Sequence, residues 1–341
     1  MADPVLVEVT RGNVVESRHR GAVVVCDADG RHVLSIGDVE RPVFPRSAVK
    51  AIQALPLVET GAADTFGFSD EDLALACASH SGEPGHVERA RAILHRAGLD
   101  ADALECGAHW PLMEEATVEL ARRHETPTAL HNNCSGKHSG FLCTCVHCGF
   151  DHRGYVARTH PEQQLVREAL EQVTGAAHDE DACGIDGCSI PTYAVPLVSL
   201  ATGFARMVTG MHLGAERARA ARRLVQACMA HPWFVAGTGR ADTRIMEIGA
   251  GRIFTKTGAE GVFCAAVPEL GLGIALKCDD GAGRAAEVVV AAVLAALLRG
   301  DPELARQLEE VARPVLRNRN DIVIGGLRPA TTIFETARHA V

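Results

Sequence analysis

Aromatic residues are scarce in this chain: Phe, Trp and Tyr make up 4% of its 341 residues, so any core must be built mainly from Ala, Val and Leu. There is no basic run. The 34 Lys and Arg are outnumbered by 43 Asp and Glu, a net charge of −9 that argues against electrostatic capture of nucleic acid or an anionic membrane. The first residues, Met1-Ala-Asp-Pro-Val-Leu-Val-Glu8, lack the basic stretch and apolar core of a signal peptide. The longest apolar run, Val288 to Leu298, falls far short of the roughly 20 residues that span a bilayer, and reads as a buried helix. A cytoplasmic protein is expected. No repeat, low-complexity tract or linker is visible, which excludes a solenoid or a tethered array.

What is present describes a globular chain: 47% hydrophobic and 23% charged. Twelve cysteines spread through a large cytosolic protein are expected to be reduced and mostly buried, packing as small hydrophobes. Alternation predicts strands at Val5–Thr10, Val14–Arg18, Val23–Cys26 and Val33–Ile36, the last two joined by the turn Asp27-Ala-Asp-Gly30. The middle reads as helical, with a capping box at Ser69-Asp-Glu-Asp72 and helices near Val87–Ala97, Pro161–Val173 and Glu216–Met229. Period two returns at Arg252–Lys256, Val262–Val267 and Leu272–Lys277, followed by a long Ala/Val/Leu helix from Arg284 to Arg299. Strands at both ends with helices between predict one α+β domain over 1–341, its sheet built from N- and C-terminal segments around a helical insertion at about 65–235.

Four polar segments can carry chemistry. In Phe44-Pro-Arg-Ser-Ala-Val-Lys50, Ser47 is expected to cap a helix and Lys50 follows at i+3, on the same face. A lysine depressed by burial and a helix N-terminus can act as general base for such a serine. Downstream stands Lys256-Thr-Gly258 on a predicted strand. S-x-x-K plus K-T-G is the arrangement of serine β-lactamases and penicillin-binding proteins, though their Ser/Tyr-x-Asn element is missing. The second segment, Cys77-Ala-Ser-His-Ser-Gly-Glu-Pro-Gly-His86, places Ser79, His80, Ser81 and Glu83 on a sharp turn; it reads equally as a plain helix end with solvated histidines. The third, His131-Asn-Asn-Cys-Ser-Gly-Lys-His-Ser-Gly140, enters a helix and does not meet P-loop spacing. The fourth is the glycine-punctuated loop Cys183-Gly-Ile-Asp-Gly-Cys-Ser-Ile-Pro-Thr192. Cys143, Cys145, His147 and Cys148 mimic zinc spacing, but no second pair follows, and on a helix running from Lys137 they read as core packing.

Five blocks in order, FPRSAVKAIQALPLVE, CASHSGEPGH, HNNCSGKHSGFL, CGIDGCSIPTYAVPL and KTGAEGVFC, make the chain resemble the asparaginase II family over nearly its whole length. That resemblance implies a serine β-lactamase/glutaminase-like fold and hydrolysis of L-asparagine to L-aspartate and ammonia by two Ser-Lys tandems. These are Ser47 with Lys50 and Ser79 with Lys256, Lys277 being the reserve for the downstream lysine. It also implies a metal site, usually zinc, with Cys134, Lys137 and Cys188 as ligands, and a homodimer. For the substrate, Arg46 can fork onto the α-carboxylate, Asp186 or Glu83 can receive the α-ammonium, and His138 can contact the amide or a metal-bound water. Two rival readings stand beside it. One is a cytosolic β-lactamase- or glutaminase-like serine hydrolase; the other is a non-enzymatic zinc or redox sensor built on Cys143, Cys145 and Cys148.

Overall fold

The computed structural model describes residues 2–330. The N-terminal strands are β1 (Val5–Arg11), β2 (Val14–Cys26) and β3 (His32–Ile36). A helical stretch follows, with α1 (Lys50–Gln53), α2 (Asp70–Ala76), α3 (Pro84–Arg96), α4 (Ser135–Cys148), α5 (Pro161–Thr174), α6 (Leu197–Thr209), α7 (Ala215–Ala230) and α8 (Ala241–Gly249). Strands β4 (Phe254–Thr257), β5 (Val262–Val267) and β6 (Leu272–Cys278) lead to helices α9 (Gly283–Leu297) and α10 (Pro302–Val311), then β7 (Val315–Arg317) and β8 (Val323–Pro329). The strands form one antiparallel sheet in the order β7-β8-β1-β2-β6-β5-β4, with β3 also on β2. The α+β layout with a sheet made by both chain ends is thus as expected. No helix among the described residues is long and apolar enough to cross a membrane.

The strands expected at Val14–Arg18 and Val23–Cys26 are one 13-residue strand. Gly21 lies between them, opposite Cys278, and a Cβ there would meet the Lys277 carbonyl oxygen at 2.1 Å. The glycine that looks like a break marks a close backbone approach instead.

Each face of the sheet is covered, and alternation sorts the side chains. Val23, Val25, Phe263, Ala265, Ile274 and Leu276 pack with the Ala- and Val-rich α9 and with α10. Ala22, Val24, Cys264 and Ala275 join the helical region on the opposite side. Helix α6 lies directly on β6, since a Cβ at Gly273 would meet the Ala201 carbonyl oxygen at 2.0 Å. The capping box of α2 forms: Ser69 N donates to Asp72 Oδ2 at 3.0 Å and Asp72 N to Ser69 Oγ at 3.4 Å. Asp72 is buried and also accepts from Arg96 at 2.7 Å and Arg89 at 3.1 Å, which ties α2 to α3.

Candidate active site

Ser47 does not cap a helix. The chain turns one residue earlier, in a 3-10 turn at Arg46–Val49 where Ala48 N donates to Pro45 O at 3.1 Å, and α1 starts only at Lys50. Arg46 takes φ +52°, a left-handed conformation that costs a non-glycine residue on the order of 1–3 kcal/mol and recurs beside reactive groups. Ser47 is half-buried, and its hydroxyl has no hydrogen-bond partner among the described residues.

Lys50 is fully buried, and its amine points to another serine than the i, i+3 spacing predicts. Lys50 Nζ donates to Ser79 Oγ at 2.9 Å, to Ala78 O at 2.6 Å and to Cys134 Sγ at 3.1 Å. A 3-10 turn keeps residues i and i+3 on one side, so the spacing itself holds, but the long side chain of Lys50 runs inward to buried acceptors rather than back to Ser47. These three close acceptors match the three N–H groups of an ammonium, and Asn133 O lies farther off at 3.5 Å.

Lys256 is also fully buried, on edge strand β4, and its amine donates to Thr257 O at 2.9 Å. Burial pushes its pKa down to about 7, helped by the charge of Lys50 and opposed by that of Asp242. The strand sits against the serine turn: a Cβ at Gly258 would meet Pro45 O at 2.7 Å. The K-T-G and S-x-x-K segments therefore touch through a glycine. Lys277 is only half-buried, and its amine is held by the Glu260 and Cys278 carbonyls at 2.5 and 2.7 Å. Among the described residues it reaches neither serine.

Beyond α2 the chain is buried rather than solvated. Ser79 N donates to Val235 O at 2.9 Å, and Ser79, His80 and Ser81 are all buried. Gly82 N donates to His80 Nδ1 at 3.1 Å, so the proton of this ring lies on Nε2, which donates to Ser135 Oγ at 2.9 Å. Burial, reinforced by His86 and Lys50, holds His80 neutral. Glu83 is occupied structurally: its two oxygens accept from Thr238 N at 2.8 Å and Thr238 Oγ1 at 2.7 Å, linking the start of α3 to the 237–238 loop.

Cys134, Lys137 and Cys188 converge in the interior. Lys137 Nζ donates to Cys188 Sγ at 3.2 Å. Cys188 donates to Cys134, and this bond, with Lys50 and Lys137 nearby, draws the Cys134 thiol well below its ordinary pKa despite burial. Burial opposes the charge on Lys137, yet Cys188, Cys134 and Asp186 together raise its pKa. No group of three or more His, Cys, Asp and Glu among the described residues forms a metal site; here the third donor is a lysine. Two sulfurs and one nitrogen, one sulfur already inclined to ionise, fit zinc in donor type and leave a fourth position open. Binding must expel the Lys137 proton.

Arg46 and Asp186 form a pair, Arg46 Nε donating to Asp186 Oδ1 at 2.6 Å. Burial would raise the Asp186 carboxyl, but Lys137 and Arg46 hold it below its usual value. The terminal guanidinium nitrogens and Asp186 Oδ2 make no protein hydrogen bond among the described residues, which leaves a cation and an anion side by side for a zwitterion. His138 is buried beside Lys137, and Tyr155 Oη, accepting from Glu105 N at 2.9 Å, lies 2.7 Å from His138 Nδ1. Its other ring nitrogen is buried without a partner among the described residues. Of the four residues expected in core packing, Cys143 and Cys145 are buried, whereas Cys148 is half-buried and His147 is exposed at the end of α4.

The family model described as L-asparaginase II matches residues 7–329. The chain belongs to that family. It is an amidohydrolase of asparaginase type, acting on a small-molecule amide. No curated protein sequence matches it. Solved structures similar to it include a β-lactamase from Mycobacterium bovis, 14% identical, covering 78% of this chain and 89% of that one with a TM-score of 0.37. Another is Mglu, 17% identical, covering 84% of this chain and 67% of that one with a TM-score of 0.36. Within this amidohydrolase, Tyr155 and Asp242 are site neighbours that the sequence does not single out. Tyr155 lies in an irregular turn and Asp242 in a nine-residue helix, and only the packing of distant elements brings them to the cluster.

Proposed function

We propose that this amidohydrolase hydrolyses L-asparagine to L-aspartate and ammonia through a seryl ester on Ser47. The observation that carries the reading is the burial of three lysines, Lys50, Lys137 and Lys256, of which Lys50 holds Ser79. Lysine is almost never buried without a reason, and here one amine is pushed down to about 7, where it can take a proton at neutral pH. Ser47 is the nucleophile because it is half-exposed with a free hydroxyl, whereas Ser79 is buried and held by Lys50.

Ser47 Oγ attacks the side-chain amide carbon. Its proton enters the Ser79–Lys50–Lys256 cluster, the C–N bond breaks, and ammonia leaves with a proton returned from that cluster. Water then cleaves the ester and releases aspartate. Arg46 takes the α-carboxylate and Asp186 the α-ammonium, with their mutual hydrogen bond holding both in place. Cys134, Lys137 and Cys188 would hold zinc, which supplies Lewis-acid polarisation or orientation of an oxygen ligand when bound. Glu83 is assigned to the loop that it binds rather than to substrate.

Ammonia release from L-asparagine, with L-glutamine as comparison substrate, tests this. The wild type turns over and Ser47→Ala loses at least about a thousandfold. Absence of turnover in the zinc-supplied wild type would remove asparagine as the substrate.

A further inference from the structure

Asp242 lies in the first turn of α8 and is fully buried. Its carboxyl and its main-chain carbonyl together hold edge strand β4 on the two sides of Lys256. Oδ1 accepts from Thr257 N at 2.6 Å, and the Asp242 carbonyl accepts from Thr255 Oγ1 at 3.4 Å. Oδ2 is buried with no partner among the described residues. Stability alone does not account for a buried carboxyl left half-satisfied, since an asparagine would serve Thr257 N equally well.

We propose that Asp242 is a positioning residue for Lys256: it fixes the strand that carries the amine and supplies the buried negative charge that keeps this amine available to hold a proton. The inference rests on the proposed role of Lys256 in the proton cluster. The other groups facing Lys256 are Lys50 on α1, Cys134 at the start of α4, Cys228 on α7, Arg240 before α8 and Cys264 opposite it on β5. The thiols of Cys228 and Cys264 are raised, chiefly by a hydrogen bond that Cys228 donates to Cys77 and by burial respectively, and stay neutral. Lys50 and Arg240 are cationic and repel a proton on Lys256, whereas Asp242 attracts it. Around Asp242 itself, Glu287 on α9 adds another carboxylate, offset by Arg240 and Arg244. Asp242 thus does most to favour the charged amine, with a smaller contribution from Cys134.

The sign of the effect follows. Removing the Asp242 charge lets Lys256 lose its proton at lower pH. The acid limb of the asparaginase pH–rate profile then moves down in Asp242→Asn, by about one pH unit, while kcat falls because protons are returned less well to leaving ammonia. Asn keeps an oxygen for Thr257 N, so a purely structural role would lower melting temperature or kcat and leave the limb where it stands. The profiles of wild type, D242N and K256A are to be measured together on folded, zinc-supplied protein. A K256A enzyme that has lost the limb, beside a D242N limb superimposed on the wild type, would overturn the role of Asp242 alone. A K256A enzyme with wild-type turnover and limb would overturn the role of Lys256 and this proposal with it. If D242N does not fold, D242S, with a smaller uncharged acceptor, carries the same expected shift.

Discussion

On the face of the sheet covered by α9 and α10, Val23, Val25, Ile274 and Leu276 meet a helix of Ala, Val and Leu. On the opposite face the same strands meet helices that bury Lys50, Lys137, Lys256, His80 and His138. Burial is equally deep in both layers, so depth alone does not distinguish them. Apolar burial contributes roughly 25 cal/mol per Å², whereas a buried ammonium is favourable only where its acceptors offset desolvation. The first layer stabilises the fold. The second tolerates destabilising groups because the first, and the apolar residues around the cluster, hold the strands in register.

The comparison can be broken most forcefully at Lys256. Its pKa falls from 10.5 to about 7 on folding, so the unfolded chain binds a proton that the folded chain resists. The resulting loss of stability is absent above 10.5, grows as pH falls toward about 7 and is complete below it. Lys256→Met therefore raises stability while cutting turnover to a residual rate, and denaturant titration shows a larger gain at pH 6 than at pH 10, pH values chosen as roughly the two ends of that window. A uniform loss of stability at both would mean that the amine is a structural partner.

Leu276→Ala, on the other layer, is expected to lower unfolding free energy by about 2–5 kcal/mol while leaving kcat per folded molecule unchanged. A large change in kcat with full stability would mean that the layers are not divided as described. The smallest effect is sought at Ser69→Ala, away from both serines. Loss of one side of the capping box should remove about 1 kcal/mol and leave the pH–rate profile untouched.

Much of the dry layer was legible in the sequence. The alternation of Leu272, Ile274 and Leu276 and the apolar run after Arg284 follow from local periodicity, which a sheet–helix contact preserves. The S-x-x-K and K-T-G segments were legible too, because each is short and sits at an element end. The pairing of Lys50 with Ser79 was not. The i, i+3 spacing brings two residues to one side of a turn but does not say which acceptor a long side chain takes, and Ser47 lies in a 3-10 turn behind a left-handed Arg46. The long lysine side chain then finds its acceptors on segments 29 and 84 residues away in sequence. The continuity of Val14–Cys26 was hidden for a related reason, since a turn glycine and a close-approach glycine such as Gly21 look alike until the crossing strand is known. The second job of Glu83, capturing Thr238, likewise depends on a loop more than a hundred residues downstream.

The central claim is that Ser47 carries the acyl group. Its most direct test is mass spectrometry of protein quenched in acid during turnover of L-asparagine. The account predicts one aspartyl ester, on the peptide that contains Ser47, absent from Ser47→Ala. An ester on the peptide that contains Ser79, or ammonia release with no ester anywhere on the chain, would contradict it.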